Sequence, residues 1–160
     1  MEIPDNIREH PTLIELETMA SDLIIISNDV LSYNKEQAVG DDEHNIITVI
    51  MKQFDLDVQE AMDKAGEIVR QRIEGFNVLY QQLPRYVGPV DLDVQKLVDG
   101  IANCVSGNLH WSYESQRYFG TRGPTVRETR IVGLLPKADG SIGVSQASPM
   151  PIPQRQELTV

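Results

Sequence analysis

The sequence predicts an all-α protein, and three features carry that prediction. Apolar residues recur at three- and four-residue steps in four runs, the spacing of one helix face. The runs are bounded by helix-start and helix-stop chemistry: Pro11 with Thr12 and Glu15, Gly40, Asp57 with Glu60, and Pro84. No segment carries a convincing strand pattern. The expected architecture is a set of antiparallel helices followed by an irregular C-terminal tail.

Residues 1–10 are polar and read as an irregular N-terminus. Pro11 suits a first helical turn, and Thr12 with Glu15 reads as a capping box. Leu16, Met19, Leu23, Ile26, Val30 and Tyr33 then mark one face of a helix that runs to about Val39 and stops at Gly40. GDDEHN is expected to open a second helix, with Asp41 and Asp42 at the positive end of its dipole and Ile46, Ile47, Val49 and Ile50 following. Asp57 and Glu60 form a cap-like pair before a third helix, whose apolar positions are Ala61, Ala65, Ile68, Val69, Ile73, Phe76, Leu79 and Tyr80. GPVDLD is a loop, and Asp91 or Asp93 caps a fourth helix through Val94, Leu97, Val98, Ile101 and Val105. Gly107 is expected to interrupt or end it, with the pattern resuming at Leu109, Trp111 and Tyr113. Beyond Gly120, glycines and prolines break the periodicity. RIVGLLP reads there as a packed extended piece, and the last twenty residues as disordered. The resulting division is residues 1–10, a helical domain over 11–119, and a largely irregular tail over 120–160.

Composition narrows the partners. A length of 160 residues supports one domain with a hydrophobic core. A net charge of -10 and a pI near 4.6, without a cluster of Lys and Arg, exclude nucleic acid as the main partner. The single cysteine, Cys104, cannot form an internal disulfide and is expected as a small buried core residue. The N-terminus lacks a signal pattern and no run is long and apolar enough to span a bilayer, so the expected location is cytoplasmic.

The polar content of the first helix is harder to explain by packing. In SNDVLSYNKE, Asn28, Ser32 and Glu36 stand four residues apart and share a helix face. They offer an amide carbonyl, a hydroxyl and a carboxylate oxygen, a set suited to a hard divalent cation such as Mg²⁺. Three protein oxygens leave roughly three octahedral positions for water or phosphate oxygens. With a single carboxylate, such a site binds metal weakly until an anionic ligand arrives. Lys35 sets a cation beside it that can meet a phosphate. The competing reading is an ordinary solvated helix face.

A second constellation lies downstream in GNLHWSYESQRYFG, where Trp111, Tyr113, Tyr118 and Phe119 surround Arg117. The guanidinium fork of Arg117 suits phosphate oxygens, and Tyr118 adds a hydroxyl donor. Alone, this would read as a helix end packed by aromatics with its arginine in solvent.

Together, NDVLSYNKE and WSYESQRYFG closely resemble the C-terminal half of class I terpene cyclases, above all the sesquiterpene cyclases of mushroom-forming fungi. SYNKEQAVGDDEHN, the Leu-Pro after the third helix and VGLLP add to the likeness, which covers residues 8 to 136. The resemblance implies the helical class I terpenoid synthase fold. It implies that Asn28, Ser32 and Glu36 bind one of three Mg²⁺ ions, while Lys35, Arg117 and Tyr118 contact the substrate diphosphate. The implied reaction is ionisation and cyclisation of farnesyl diphosphate to a sesquiterpene with release of diphosphate. Phe76 and Trp111 are candidate aromatic faces for the carbocation, with core packing the competing role.

The family's aspartate-rich motif, which binds the other two ions, and its diphosphate-sensing arginine lie upstream of anything in this chain. Asp41, Asp42 and Glu43 follow the first motif directly and cannot face it across a cavity, so capping is the expected role. The expectation is therefore an incomplete chain with little cyclase activity alone, whose apolar faces are free to associate. The alternative is a non-catalytic cyclase-like helical module that keeps the Mg²⁺ and diphosphate half-site and acts through association.

Overall fold

The structure is a computed structural model that describes residues 2–138, together with the backbone of residues 157–159. The described residues are predominantly helical, as expected. Six α-helices follow in order: α1 (Asp5–Arg8), α2 (Pro11–Val39), α3 (Ile46–Phe54), α4 (Val58–Gln81), α5 (Pro89–Glu114) and α6 (Gly123–Thr129). A 3-10 turn spans Gly120–Arg122, and β1 (Ile131–Gly133) and β2 (Glu157–Thr159) form a small ribbon. Among the described residues, no helix is long and apolar enough to cross a membrane.

The chain divides into two compact units, Met1–Asn28 with Gly66–Ser112, and Asp29–Ala65 with Tyr113–Val160. In the first unit, Leu13, Leu16 and Ala20 of α2 pack with Phe76 of α4 and with Val94 and Val98 of α5. The helix start differs from the sequence expectation. α2 begins at Pro11, and the Nδ1 atom of His10 accepts from the backbone N–H of Thr12 at 3.2 Å, so His10 serves the free end in place of Thr12. α5 runs unbroken through Gly107, because Tyr113 and the flanking apolar residues continue the helical period on both sides. Two core expectations are corrected here. Cys104 is exposed, since Val94, Val98, Ile101 and Val105 take the packed stripe of α5 and leave it outside. Trp111 is half exposed rather than packed in the core.

In the second unit, α2 closes on Gly40, whose φ of 77° carries the reversal. The Asp41 N–H returns to the Glu36 carbonyl at 3.0 Å, a Schellman-type ending one turn past the polar triad. The next helix starts later than GDDEHN suggested. Asn45 is the N-cap of α3, its side chain accepting from the Ile47 N–H. Asp42 instead accepts from the Thr48 hydroxyl at 2.6 Å. The capping box at α4 is present as read: Asp57 N–H donates to Glu60 at 2.9 Å, and Glu60 N–H to Asp57 at 2.8 Å.

The core of this unit comprises Leu31, Tyr113, Tyr118, Val126 and Val132, with Phe119 against it. Gly123, at the start of α6, sits so close to the Tyr113 carbonyl oxygen that a β-carbon there would overlap it. Part of the segment read as irregular is therefore ordered: the 3-10 turn, α6 and β1 all fall within it. The extended reading of RIVGLLP corresponds to β1, where Val132 is buried. β1 pairs antiparallel with β2, Val132 opposite Leu158, a small addition that leaves the fold all-α. The rest of the last twenty residues lies outside the described residues.

Residues after β1 are tied to α2 by side chains. The Asn34 amide donates to the Gly133 carbonyl at 3.0 Å and its carbonyl accepts from the Leu135 N–H at 2.7 Å. Gln37, almost fully buried, donates to the Leu135 carbonyl at 2.7 Å. Asn34→Ala removes one donor and one acceptor and leaves the partners unmatched, so it should cost about 1–3 kcal/mol of unfolding free energy. Urea denaturation followed by circular dichroism measures it, and an unchanged midpoint would show the clasp contributes nothing.

Candidate functional site

The C-terminal turns of α2 present the polar residues. Asn28, Ser32 and Glu36 keep their four-residue steps along one unbroken helix, with Asn28 the last residue of the first unit. Ser32 is buried, and its hydroxyl makes a long bond to the Asp29 carbonyl at 3.4 Å. Glu36 is partly buried, and its Oε2 accepts from the side-chain amide of Asn45 at 2.9 Å, leaving Oε1 for a second partner. Asp29 does not join this face. Its Oδ2 accepts from the Ile46 N–H at 2.8 Å and so anchors the start of α3. Burial raises the Asp29 carboxyl above its usual range, and the nearby Glu36 carboxylate adds to the rise, against the lowering effect of the Ile46 N–H.

The second constellation meets the first through Lys35. Its ammonium donates to the backbone carbonyl of Arg117, which lies 82 residues away in sequence. Arg117 is exposed, with its guanidinium 5.3 Å from the centre of the Tyr118 ring. Tyr118 is buried in the unit's core beside Phe119. The loop carrying them turns at Gln116, which holds a left-handed φ of 58°. That conformation is uncommon for a residue with a β-carbon, and here it swings Arg117 out of the line of α5.

Four predicted residues of the second unit are thus gathered: Ser32 and Glu36 on α2, and Lys35 joined to Arg117. Tyr118 is brought beside Arg117 as part of the packed core. Sequence reasoning missed Asn45: within GDDEHN it weighed only Asp41, Asp42 and Glu43 and gave Asn45 no role. The signal available for it was an Asn directly before an apolar helical run, the mark of an N-cap.

The donor set can be tested against a divalent cation on its chemistry. Among the described residues, no group of three or more His, Cys, Asp or Glu side chains could hold a metal. The sequence-predicted set of Asn28, Ser32 and Glu36 offers neutral oxygens beside one carboxylate and is a different kind of donor set. Hard oxygen donors with one charge fit Mg²⁺ and do not fit a metal that prefers thiolate or imidazole.

Residues 1–75 match the family model described as "Terpene synthase family 2, C-terminal metal binding". The chain is 42% identical over 137 residues to a Delta(6)-protoilludene synthase of Armillaria gallica, covering 86% of this chain and 40% of that protein. It is 42% identical over 137 residues to Sesquiterpene synthase 1 of Postia placenta, with the same coverage of 86% and 40%. A Delta(6)-protoilludene synthase of Stereum hirsutum is 41% identical over 138 residues, covering 85% of this chain and 37% of that protein. The chain thus spans about 40% of the length of the curated relatives it matches.

Proposed function

We propose, from the premise that this chain is a relative of the fungal sesquiterpene synthases and carries the C-terminal metal-binding segment of terpene synthase family 2, that it supplies the Mg²⁺ and diphosphate half-site of a farnesyl diphosphate cyclase. Asn28, Ser32 and Glu36 hold one Mg²⁺. When bound, the ion supplies Lewis-acid stabilisation of the departing diphosphate. Lys35 and Arg117 bring positive charge to the same leaving group, and the Tyr118 hydroxyl is an added donor. Lys35 is held at the Arg117 backbone carbonyl, which joins the end of α2 to the loop that carries the Arg117 side chain. Exposed apolar residues of the first unit, among them Ile25, Val78 and Trp111, are surface for association with further helices.

The observation that carries this reading is the joining of the Ser32–Glu36 stretch of α2 to the Arg117 loop within the second unit. Isothermal titration of the chain with inorganic diphosphate tests it. Binding is expected with Mg²⁺ and not without, and Arg117→Ala should weaken it by roughly 10-fold or more, the loss of a charge-assisted, bidentate donor. Binding indifferent to both the ion and the substitution would overturn the reading.

A further inference from the structure

We infer that Asn45 is a positioning residue for Glu36: its side-chain amide fixes the carboxylate so that one oxygen is aimed at a bound divalent cation. The inference rests on the Mg²⁺ reading above and adds a residue and a role to it.

Asn45 is 3% exposed and performs two tasks with one amide. Its carbonyl oxygen accepts from the Ile47 N–H at 3.0 Å and caps α3. Its nitrogen lies 2.9 Å from the Asp29 carbonyl, 2.9 Å from Glu36 Oε2 and 3.5 Å from the Ser32 hydroxyl. An amide nitrogen has two hydrogens, so the two short contacts take them and Ser32 is left only weakly engaged. The cap alone would need none of these nitrogen contacts, since a serine hydroxyl or an aspartate caps as well.

Two features make the nitrogen contacts matter for a metal. A glutamate carboxylate turns about three rotatable bonds, and binding an ion through it requires fixing them. The Asn45 donor holds Oε2 and leaves Oε1 as the free ligand atom, so the ordering is completed during folding. The Ser32 hydroxyl, bound only at 3.4–3.5 Å, keeps its lone pairs for the same ion. The second contact, to Asp29, fixes α3 on the helix that carries the ligands, so Asn45 cannot drift from Glu36.

The test uses the whole chain with Mg²⁺ and inorganic diphosphate as probes. Asn45→Ser keeps a capping hydroxyl and removes the donor to Glu36. It should weaken Mg²⁺-dependent diphosphate binding by about 10- to 100-fold, the effect of removing a partner that orients a ligand. The loss should fall on the Mg²⁺ dependence, raising the Mg²⁺ concentration needed for half-maximal diphosphate binding by a similar factor, whereas a general structural role would lower the melting temperature and leave that concentration unchanged. Wild-type NMR adds a readout that needs no folded variant: the Asn45 side-chain N–H signals should shift when Mg²⁺ and diphosphate are added together. Unchanged affinity in Asn45→Ser, or unmoved signals in a wild type that binds, would refute the positioning role while leaving the half-site intact. Absence of Mg²⁺-dependent binding in the wild type would instead refute the half-site and this inference with it.

Discussion

Replacing Glu36 with alanine should abolish Mg²⁺-dependent diphosphate binding, a loss of ~100-fold or more. Second partners of metal ligands already cost about 10–100-fold when removed, so a ligand costs at least the upper end. Glu36 is also the only carboxylate of the proposed ligand set, so without it the set would offer a doubly charged ion only two neutral oxygens. A further consequence arises inside the protein: the Asn45 amide, buried against Oε2, is left without that acceptor. Glu36→Gln separates the two effects, because it still accepts from Asn45 but carries no charge. Titration calorimetry should find both variants defective in binding, with thermal stability restored only in the glutamine variant. Retained Mg²⁺ dependence in Glu36→Ala would remove this residue from the site.

Gly123→Ala should destabilise the chain more than any other small substitution in the second unit. Gly123 has an ordinary helical backbone, φ -49° and ψ -49°, so it is not glycine for conformational reasons. It is glycine because the Tyr113 carbonyl occupies the space of a β-carbon. Backbone cannot move aside as a flexible side chain can, so the overlap displaces α6 or the end of α5. Overpacking of this kind costs about 1–3 kcal/mol or more. For a chain of this size that corresponds to a fall in Tm of roughly 2–12 °C. The loop with Arg117 and Tyr118 lies between the two displaced points, so diphosphate binding should fall with stability. Gly66→Ala is the matched control. It lies inside α4 with nothing within 4 Å of the added carbon, and it should be neutral or stabilising by up to about 1 kcal/mol. Equal melting curves for Gly123→Ala and wild type would refute the packing argument.

Much of the framework was legible because it is local. The apolar period of α2, its stop at Gly40 and the Asp57–Glu60 box are each written within a few residues of where they act. Asn28, Ser32 and Glu36 were legible for the same reason, since helical spacing alone sets them on one face. Other features depended on pieces that meet only after folding. Nothing near Lys35 announces the Arg117 carbonyl, and nothing near Asn34 or Gln37 announces residues 133–135. Cys104 was expected in the core and core packing was weighed for Trp111, but the packed stripe of α5 runs through Val94, Val98, Ile101 and Val105 and leaves both exposed. The late start of α3 was hidden by Asp41 and Asp42, whose charge mimics a helix beginning that Asn45 performs.

A single turn of α2 holds Asn34, Lys35, Glu36 and Gln37, and each reaches a different stretch of chain or doubles a neighbour's reach. Asn34 and Gln37 hold residues 133–135, Lys35 holds residue 117, and Glu36 receives Asn45. Opening any one of those stretches strips partners from the same turn and weakens the hold on the rest. These three stretches should therefore open in a coupled way, which hydrogen exchange at residues 45–47, 116–118 and 133–135 would measure. An anion or ion held at this turn would steady segments that share no boundary in the sequence.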